Sequence, residues 1–189
     1  MPHKFDPDQM DVLVSRQREL DLDVHRIMSL IPIFPYHTVA DLGCGPGFFT
    51  VPLGKTVIFG KVHALDVQQE MLDATQERLR GVRLTNVETA LSEEDRIPLE
   101  DESVDGVFAA FMVHEVDDPK GLLGECFRAL TKGGWLALLE WHKRKMDDGP
   151  PLKERIDEPD MRSLALDAGF QLTRSHELND KHYMVVVRK

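Results

Sequence analysis

The chain has 189 residues, 42% of them hydrophobic, and only two cysteines, which suits one cytoplasmic domain and excludes a disulfide framework or a cysteine metal cluster. The formal net charge of −10 at pH 7 would repel a phosphate backbone and excludes a general nucleic-acid-binding surface. No secretory signal is recognisable, and no segment approaches the roughly 20 apolar residues of a membrane helix, so no membrane contact is expected.

The predicted elements begin with one or two leading helices over residues 8–30, inside an N-terminal helical cap of residues 1–36. From residue 37 to the end, strand-length apolar runs alternate with helical patterns, which predicts an α/β domain with a doubly wound, mostly parallel sheet. The predicted strands are residues 38–42, 61–66, 86–90, 103–110, 135–141, 171–177 and 182–188, and the main helices are 69–80, 119–130 and 159–168. Only a short turn separates the last two strands, so they must be antiparallel neighbours, and residues 1–189 are predicted to be one domain.

A glycine loop of sequence DLGCGPG, residues 41–47, follows the first predicted strand. Gly43, Gly45 and Gly47 leave no side chains between the backbone and a ligand, and the following helix N-terminus adds donors. The spacing is G-x-G-x-G, whereas the dinucleotide fingerprint is G-x-G-x-x-G, which argues against a nicotinamide-dependent oxidoreductase. Asp41 would repel a pyrophosphate but attract the ammonium of S-adenosylmethionine. The loop therefore predicts that cofactor, with a structural glycine turn as the alternative.

Acidic residues follow the next two predicted strands. Asp66 closes the second strand, at the spacing expected of an acid that accepts both ribose hydroxyls, although such a carboxylate also serves as a helix cap. Glu93 and Glu94 come after the third strand and fall on the same carboxyl edge of the sheet. One of them could accept a hydrogen bond from the adenine amino group, and a solvated acidic loop is the alternative.

The segment after the fourth strand, residues 111–115, should line the cleft where chemistry takes place. Its His114 is the candidate catalytic residue, either orienting an acceptor or accepting its proton, while a packed and hydrogen-bonded histidine is the alternative. After the fifth strand, Trp141 either caps an acceptor or fills core, and residues 142–157 could form the pocket rim.

Taken together, these motifs resemble those of class I S-adenosylmethionine-dependent methyltransferases, specifically the methyltransferase-11 and ubiquinone/menaquinone-biosynthesis type. The resemblance spans about residues 37–142, and its motifs are the glycine loop, Asp66, Ile97-Pro98-Leu99, Ser103-Val104-Asp105, Ala129-Leu130 and Gly133-Gly134-Trp135-Leu136. It implies a seven-stranded sheet of order 3-2-1-4-5-7-6 with an antiparallel seventh strand. It also implies glycines at the methionine portion of the cofactor, Val67 at the adenine face, and a loop beginning at Phe111 that holds the methionine end.

The predicted function is methyl transfer from S-adenosylmethionine to an unidentified acceptor, expected to be a small molecule. Direct displacement needs alignment of nucleophile, methyl carbon and sulfur in a dry site, with no covalent enzyme intermediate and no metal. A module that binds S-adenosylmethionine or S-adenosylhomocysteine without catalysis is the main alternative, because a fold and a cofactor site do not by themselves establish a reaction.

Overall fold

A computed structural model describes residues 5–189, Thr173 by its backbone alone, and within them one sheet of seven strands forms the centre. The strands are β1 (Thr38–Leu42), β2 (Lys61–Asp66), β3 (Val87–Leu91), β4 (Val104–Ala110), β5 (Leu130–Trp141), β6 (Gln171–Glu177) and β7 (His182–Arg188). Their order is β3-β2-β1-β4-β5-β7-β6, and β7 runs antiparallel to both of its neighbours. The predicted fold class, the strand order and the antiparallel end are confirmed.

Six α-helices connect or precede the strands in this part of the chain. They are α1 (Arg16–Asp21), α2 (Val24–Leu30), α3 (Thr50–Thr56), α4 (Gln69–Val82), α5 (Pro119–Ala129) and α6 (Glu158–Asp167). The sequence signals for α5 and α6 are caps: Asp118 accepts a hydrogen bond from the Gly121 amide, Asp157 accepts one from the Glu158 amide, and each helix has proline in its first turn.

Among the strands and main helices from residue 37 onward, two predicted boundaries are wrong by more than one residue. Helix α4 continues through Gly81 to Val82, and the left-handed φ of 56° at the next residue, Arg83, terminates it. Strand β5 begins at Leu130 rather than at residue 135, because Leu130 pairs with Val104 and Trp135 pairs with Gly106 across an irregular register. The glycines that suggested a loop therefore lie within a bulged strand.

The N-terminal segment consists of three short helical pieces rather than one or two helices. A 3-10 helix, Pro7–Val14, precedes α1 and α2, and the side chains of Ser15 and Asp23 cap the two α-helices. Each cap interrupts the preceding piece, which explains the irregular apolar spacing of the sequence. Arg26 donates to the carbonyls of Glu177 and Leu178, so the segment is anchored at the carboxyl end of β6.

Two apolar layers cover the two faces of the sheet. Alternate residues of β5 serve both: Leu136 and Leu138 pack in the layer that contains α5 and α6, while Trp135, Ala137 and Leu139 pack in the layer that contains α2 and α3. Because both faces are covered, the open part of the sheet is its carboxyl edge, where the loops after β1, β2 and β4 meet.

Substitution of Gly106 tests how tightly the apolar layer that contains α2 and α3 is packed. A Cβ atom there would lie 2.2 Å from ring atoms of the buried Trp135. We expect Gly106→Ala to lower the free energy of unfolding by about 1–3 kcal/mol, as overpacking of a core does. Gly124→Ala in α5 is the matched control: its Cβ would meet nothing within 4 Å, and it should be neutral or stabilising by up to about 1 kcal/mol. Urea unfolding of both variants measures the difference, and equal stabilities would contradict the packing argument.

Candidate functional site

A cavity of about 620 Å³ lies at the carboxyl edge of the sheet. Its floor is built by the loops that follow β1, β2 and β4, and its roof by the N-terminal segment together with residues 148–151. The cavity brings together nine of the ten predicted site residues: Asp41, Gly43, Gly45, Asp66, Val67, Glu93, Glu94, Phe111 and His114. The tenth, Gly47, does not line the cavity, and it packs against α4, where an added Cβ would lie 3.0 Å from Thr75 Oγ1.

The glycine loop has a conformation that side chains would disturb. Gly43, Gly45 and Gly47 have φ values of +67°, +52° and +82°, in the left-handed region. A Cβ atom on Gly43 would also lie 2.8 Å from Met112 in the loop after β4. Helix α3 begins only at Thr50, with two phenylalanines between it and the last glycine, and Thr50 does not line the cavity, whereas Gly43 and Gly45 do.

Asp41 is a buried acid beside this loop. Its side chain is 2% exposed, and its Oδ2 atom accepts a hydrogen bond of 2.6 Å from Thr50 Oγ1. Burial raises the pKa of Asp41 to about 7, and the charge of Asp66 adds to this rise against the opposing Thr50 hydrogen bond. A buried carboxylate that is costly to ionise favours a cationic ligand, because a nearby positive charge offsets the cost.

Asp66 links the end of β2 to the glycine loop. Its Oδ2 atom accepts from the Gly45 amide at 2.8 Å, and its Oδ1 atom accepts from the Gln68 amide at 3.0 Å. Both oxygens of the Asp66 carboxylate therefore hold backbone amides of the loops that follow β1 and β2. The residue therefore has a structural task in addition to the predicted one.

The loops that follow β2 and β3 carry the residues that were predicted to contact adenine. Val67 is 38% exposed and lines the cavity, as do the exposed Glu93 and Glu94. The turn that holds the two acids is fixed by Ser92, whose amide donates to the Asp66 carbonyl at 2.8 Å and whose hydroxyl donates to the carbonyls of Glu93 and Arg96.

Phe111 begins the loop after β4 in an unusual backbone conformation. Its φ is +59°, although it is not glycine, and such strain is concentrated at functional sites. Its amide donates to the Leu139 carbonyl at 2.8 Å, which holds the strained turn against β5. Its ring packs against Trp141 and His182 with centroid distances of 5.7 and 5.0 Å. Trp141 itself lines the cavity and also packs against Arg155, so it both covers a pocket wall and fills space.

His114 is paired with a fully buried acid. Its Nδ1 atom lies 2.9 Å from each carboxylate oxygen of Glu140, which also accepts from the His114 amide, and its Nε2 atom lies 3.8 Å from Glu115 Oε1. Burial lowers the pKa of His114, but the charge and hydrogen bond of Glu140, aided by Glu115, outweigh it and leave that pKa above its ordinary value. The sequence signal for Glu140 is a charged residue within the otherwise apolar run of residues 135–141.

Two further residues of the cavity wall, Arg18 and His182, are absent from the sequence predictions. They come from opposite ends of the chain, on α1 and at the start of β7. Neither belongs to a local motif, so only the fold brings them together.

Residues 5–189 also contain no cluster of three or more histidine, cysteine, aspartate or glutamate side chains suited to a metal ion. Among the same residues, none of the helices combines the length and the apolar character needed to cross a membrane.

Comparisons with known proteins agree with this geometry. Residues 40–138 match the family model described as "Methyltransferase domain". A SAM dependent methyltransferase of known structure from Aquifex aeolicus is 35% identical, with a TM-score of 0.94 over 98% of this chain and 99% of that one. The biotin biosynthesis bifunctional protein BioHC of Teredinibacter turnerae is 30% identical over 71% of this chain and 26% of its own length.

A third relative is the demethylmenaquinone methyltransferase of Lactobacillus johnsonii, which is 37% identical over 53% of this chain and 42% of its own length. This chain therefore spans less than half of the curated relatives described here. The family match covers more than half of the chain, and the similarity to the Aquifex aeolicus enzyme extends over nearly all of it. The chain belongs to the methyltransferase-domain family of S-adenosylmethionine-dependent enzymes.

Proposed function

We propose that this protein transfers the methyl group of S-adenosylmethionine to a small-molecule acceptor by direct displacement. The observation that carries the proposal is one cavity that joins the glycine loop and Asp66 to the His114–Glu140 pair. When bound, S-adenosylmethionine supplies a methyl group activated by its sulfonium. The residues of this chain then have to hold the cofactor, align the acceptor, exclude water and receive a proton where the acceptor carries one.

The cavity residues fit the separate parts of the cofactor. Asp41 is suited to the ammonium, the bare backbone of Gly43 and Gly45 to the methionine portion, and Asp66 to the ribose hydroxyls. The proposed cofactor-binding residues are Asp41, Gly43, Gly45, Gly47, Asp66, Val67, Glu93, Glu94 and Phe111. Gly47 would act through the packing of the loop against α4 rather than through contact.

His114 is proposed as the catalytic residue. A carboxylate at Nδ1 fixes the tautomer in which Nδ1–H donates to Glu140, so the neutral ring presents Nε2 as a proton acceptor. The same carboxylate stabilises the imidazolium that forms when the ring accepts a proton. Glu140 is therefore a positioning residue for His114.

A small acceptor is supported by the size of the site. The N-terminal segment and residues 148–151 complete the lining of a cavity of about 620 Å³, which has room for a cofactor and a compact second ligand rather than for a folded domain. Among the relatives, the demethylmenaquinone methyltransferase is named for a small-molecule substrate.

Thermal stability tests the cofactor role. We expect S-adenosylmethionine and S-adenosylhomocysteine to raise the Tm, because a ligand that binds only the native state adds about 2.7 kcal/mol at a concentration of 100 times its Kd. NAD should not raise it. No shift with either adenosyl ligand at millimolar concentration would contradict the proposed cofactor site. Formation of S-adenosylhomocysteine in a screen of acceptors then distinguishes an enzyme from a module that only binds.

Asp41 predicts a pH dependence of binding. Because the pKa of Asp41 is raised to about 7, the free protein carries a proton there at lower pH, and a bound ammonium favours its loss. We expect affinity for S-adenosylhomocysteine to increase by about tenfold between pH 6 and 8 and then level off. Asp41→Asn should bind more weakly and lose this dependence, measured by calorimetry across pH. An unchanged pH profile in the variant would assign the effect to another group.

A further inference from the structure

The roof of the cavity carries an arginine without an anionic partner. Arg18 lies over the rings of Phe48 and Phe111, at 5.2 and 5.0 Å, and among the described residues its guanidinium makes no ion pair. Its Nε atom is buried and forms no hydrogen bond within residues 5–189. Asp21, one helical turn away, is bonded to Gln17 and to Lys181. A partly buried cation with no counter-ion among the described residues is costly, and desolvation accordingly lowers the pKa of Arg18 to about 10.

A second unsatisfied group lies in the wall of the same cavity. His182 is 2% exposed, and neither of its ring nitrogens has a hydrogen-bond partner within the described part of the chain. Its ring lies edge-on to Trp141 at 4.3 Å and to Phe111 at 5.0 Å. Burial lowers the pKa of His182 to about 3, reinforced by Arg18, so the ring is neutral and offers one donor and one acceptor.

The topology places His182 away from Asp41 and Asp66, the acids proposed for the ammonium and the ribose of the cofactor. Asp41 and Asp66 mark the ends of β1 and β2, whereas Trp141 and His182 face each other at the ends of β5 and β7. Strand β7 is two strands beyond β4, roughly 10 Å away at ordinary strand spacing. A ligand that reaches His182 is therefore the acceptor. Arg18 lies above the Phe111 ring, between His182 and the acids at the ends of β1 and β2.

We infer that the acceptor is a planar acid whose anionic group binds between Arg18 and His182 while its ring or conjugated body lies against Phe111 and Trp141. The inference rests on the proposed function and specifies its substrate class. A carboxylate satisfies both orphan groups at once, through a charge-assisted bond from the guanidinium and a hydrogen bond from the imidazole N–H. The two aromatic side chains supply the flat apolar surface that a planar body requires.

The experiment measures binding of 2-naphthoate and of its neutral analogue 2-naphthamide to the protein saturated with S-adenosylhomocysteine. The wild type should prefer the acid by about tenfold or more, because hydrogen bonds to a charged group are the stronger ones. Arg18→Met should abolish the preference, and His182→Phe, which preserves the aromatic packing, should reduce it several-fold. Arg16→Met on the same helix is the matched control, since Arg16 is exposed, and it should retain the preference.

Three outcomes would overturn the inference. They are equal binding or no binding of the two probes, an acid preference that survives in Arg18→Met, and a tenfold loss of S-adenosylhomocysteine affinity in Arg18→Met. The last result would assign Arg18 to the carboxylate of the cofactor. Failure of S-adenosylhomocysteine to bind the wild type is a separate result, because it would contradict the proposed function rather than the acceptor class.

Discussion

Replacing His114 by glutamine is expected to lower turnover by roughly 10²–10⁴-fold while S-adenosylhomocysteine affinity stays within a few-fold of the wild type. Glutamine can still donate a hydrogen bond to Glu140, but it cannot accept a proton at neutral pH. Binding and turnover should separate because His114 lies in the loop after β4, whereas Asp66, the acid proposed for the ribose, lies at the end of β2. Turnover is to be measured on an acceptor identified by S-adenosylhomocysteine release.

Glutamine is a better choice than alanine because Glu140 is fully buried. His114→Ala would leave that carboxylate without its imidazole partner, and breaking a buried pair in this way costs about 3–5 kcal/mol. A loss of activity in the alanine variant would then combine chemistry with unfolding. Urea unfolding of both variants separates the two effects.

The pH dependence of kcat gives an independent measurement. If neutral His114 accepts the proton, kcat should rise with pH through the elevated pKa of this residue. Glu140→Gln removes the two interactions that raise the pKa most, so the rise should move to lower pH as overall turnover falls. Wild-type turnover in folded His114→Gln would exclude His114 from the chemistry and leave positioning alone to account for the rate.

Sequence patterns predicted the sheet well because its signals are local. The bounds of β1, β2 and β7 agree with apolar runs ended by polar or turn residues, and the short turn before β7 requires that it pair antiparallel with β6. The register of β5 was not predictable in the same way. Its first residues form a bulge opposite β4, and the glycines there resemble a loop when the partner strand is not visible.

The residues that form the floor of the candidate site were also predictable from local signals, because the parallel strands bring the glycine loop and the acids to one edge of the sheet. Arg18 and His182 have no such signal. Arg18 is one arginine in a polar helix, and His182 begins a strand of otherwise ordinary pattern. Their importance depends on burial and on polar atoms that have no hydrogen-bond partner in the described part of the chain, and both properties appear only after folding.

Asp66→Ala is expected to weaken S-adenosylhomocysteine binding by about 1.5–3 kcal/mol, the range for losing hydrogen bonds to a charged group. The variant also loses the acceptors for the Gly45 and Gln68 amides, so loop disturbance has to be distinguished from lost ribose contacts. Asp95→Ala, an exposed acid outside the lining of the cavity, controls for the change in charge and should bind normally. Calorimetry gives the affinities, and urea unfolding establishes that each variant is folded.

The 2′,3′-dideoxy analogue of S-adenosylhomocysteine resolves the two roles of Asp66. If the carboxylate accepts both ribose hydroxyls, the wild type should bind the analogue at least about tenfold more weakly than the parent ligand, and Asp66→Ala should bind the two ligands alike. If Asp66 only holds the glycine loop through the Gly45 amide, the substitution should weaken both ligands by the same factor. A loss of affinity below tenfold for the parent ligand in a folded variant would contradict the ribose role, because losing two hydrogen bonds from hydroxyls to a buried carboxylate should weaken binding by more than that.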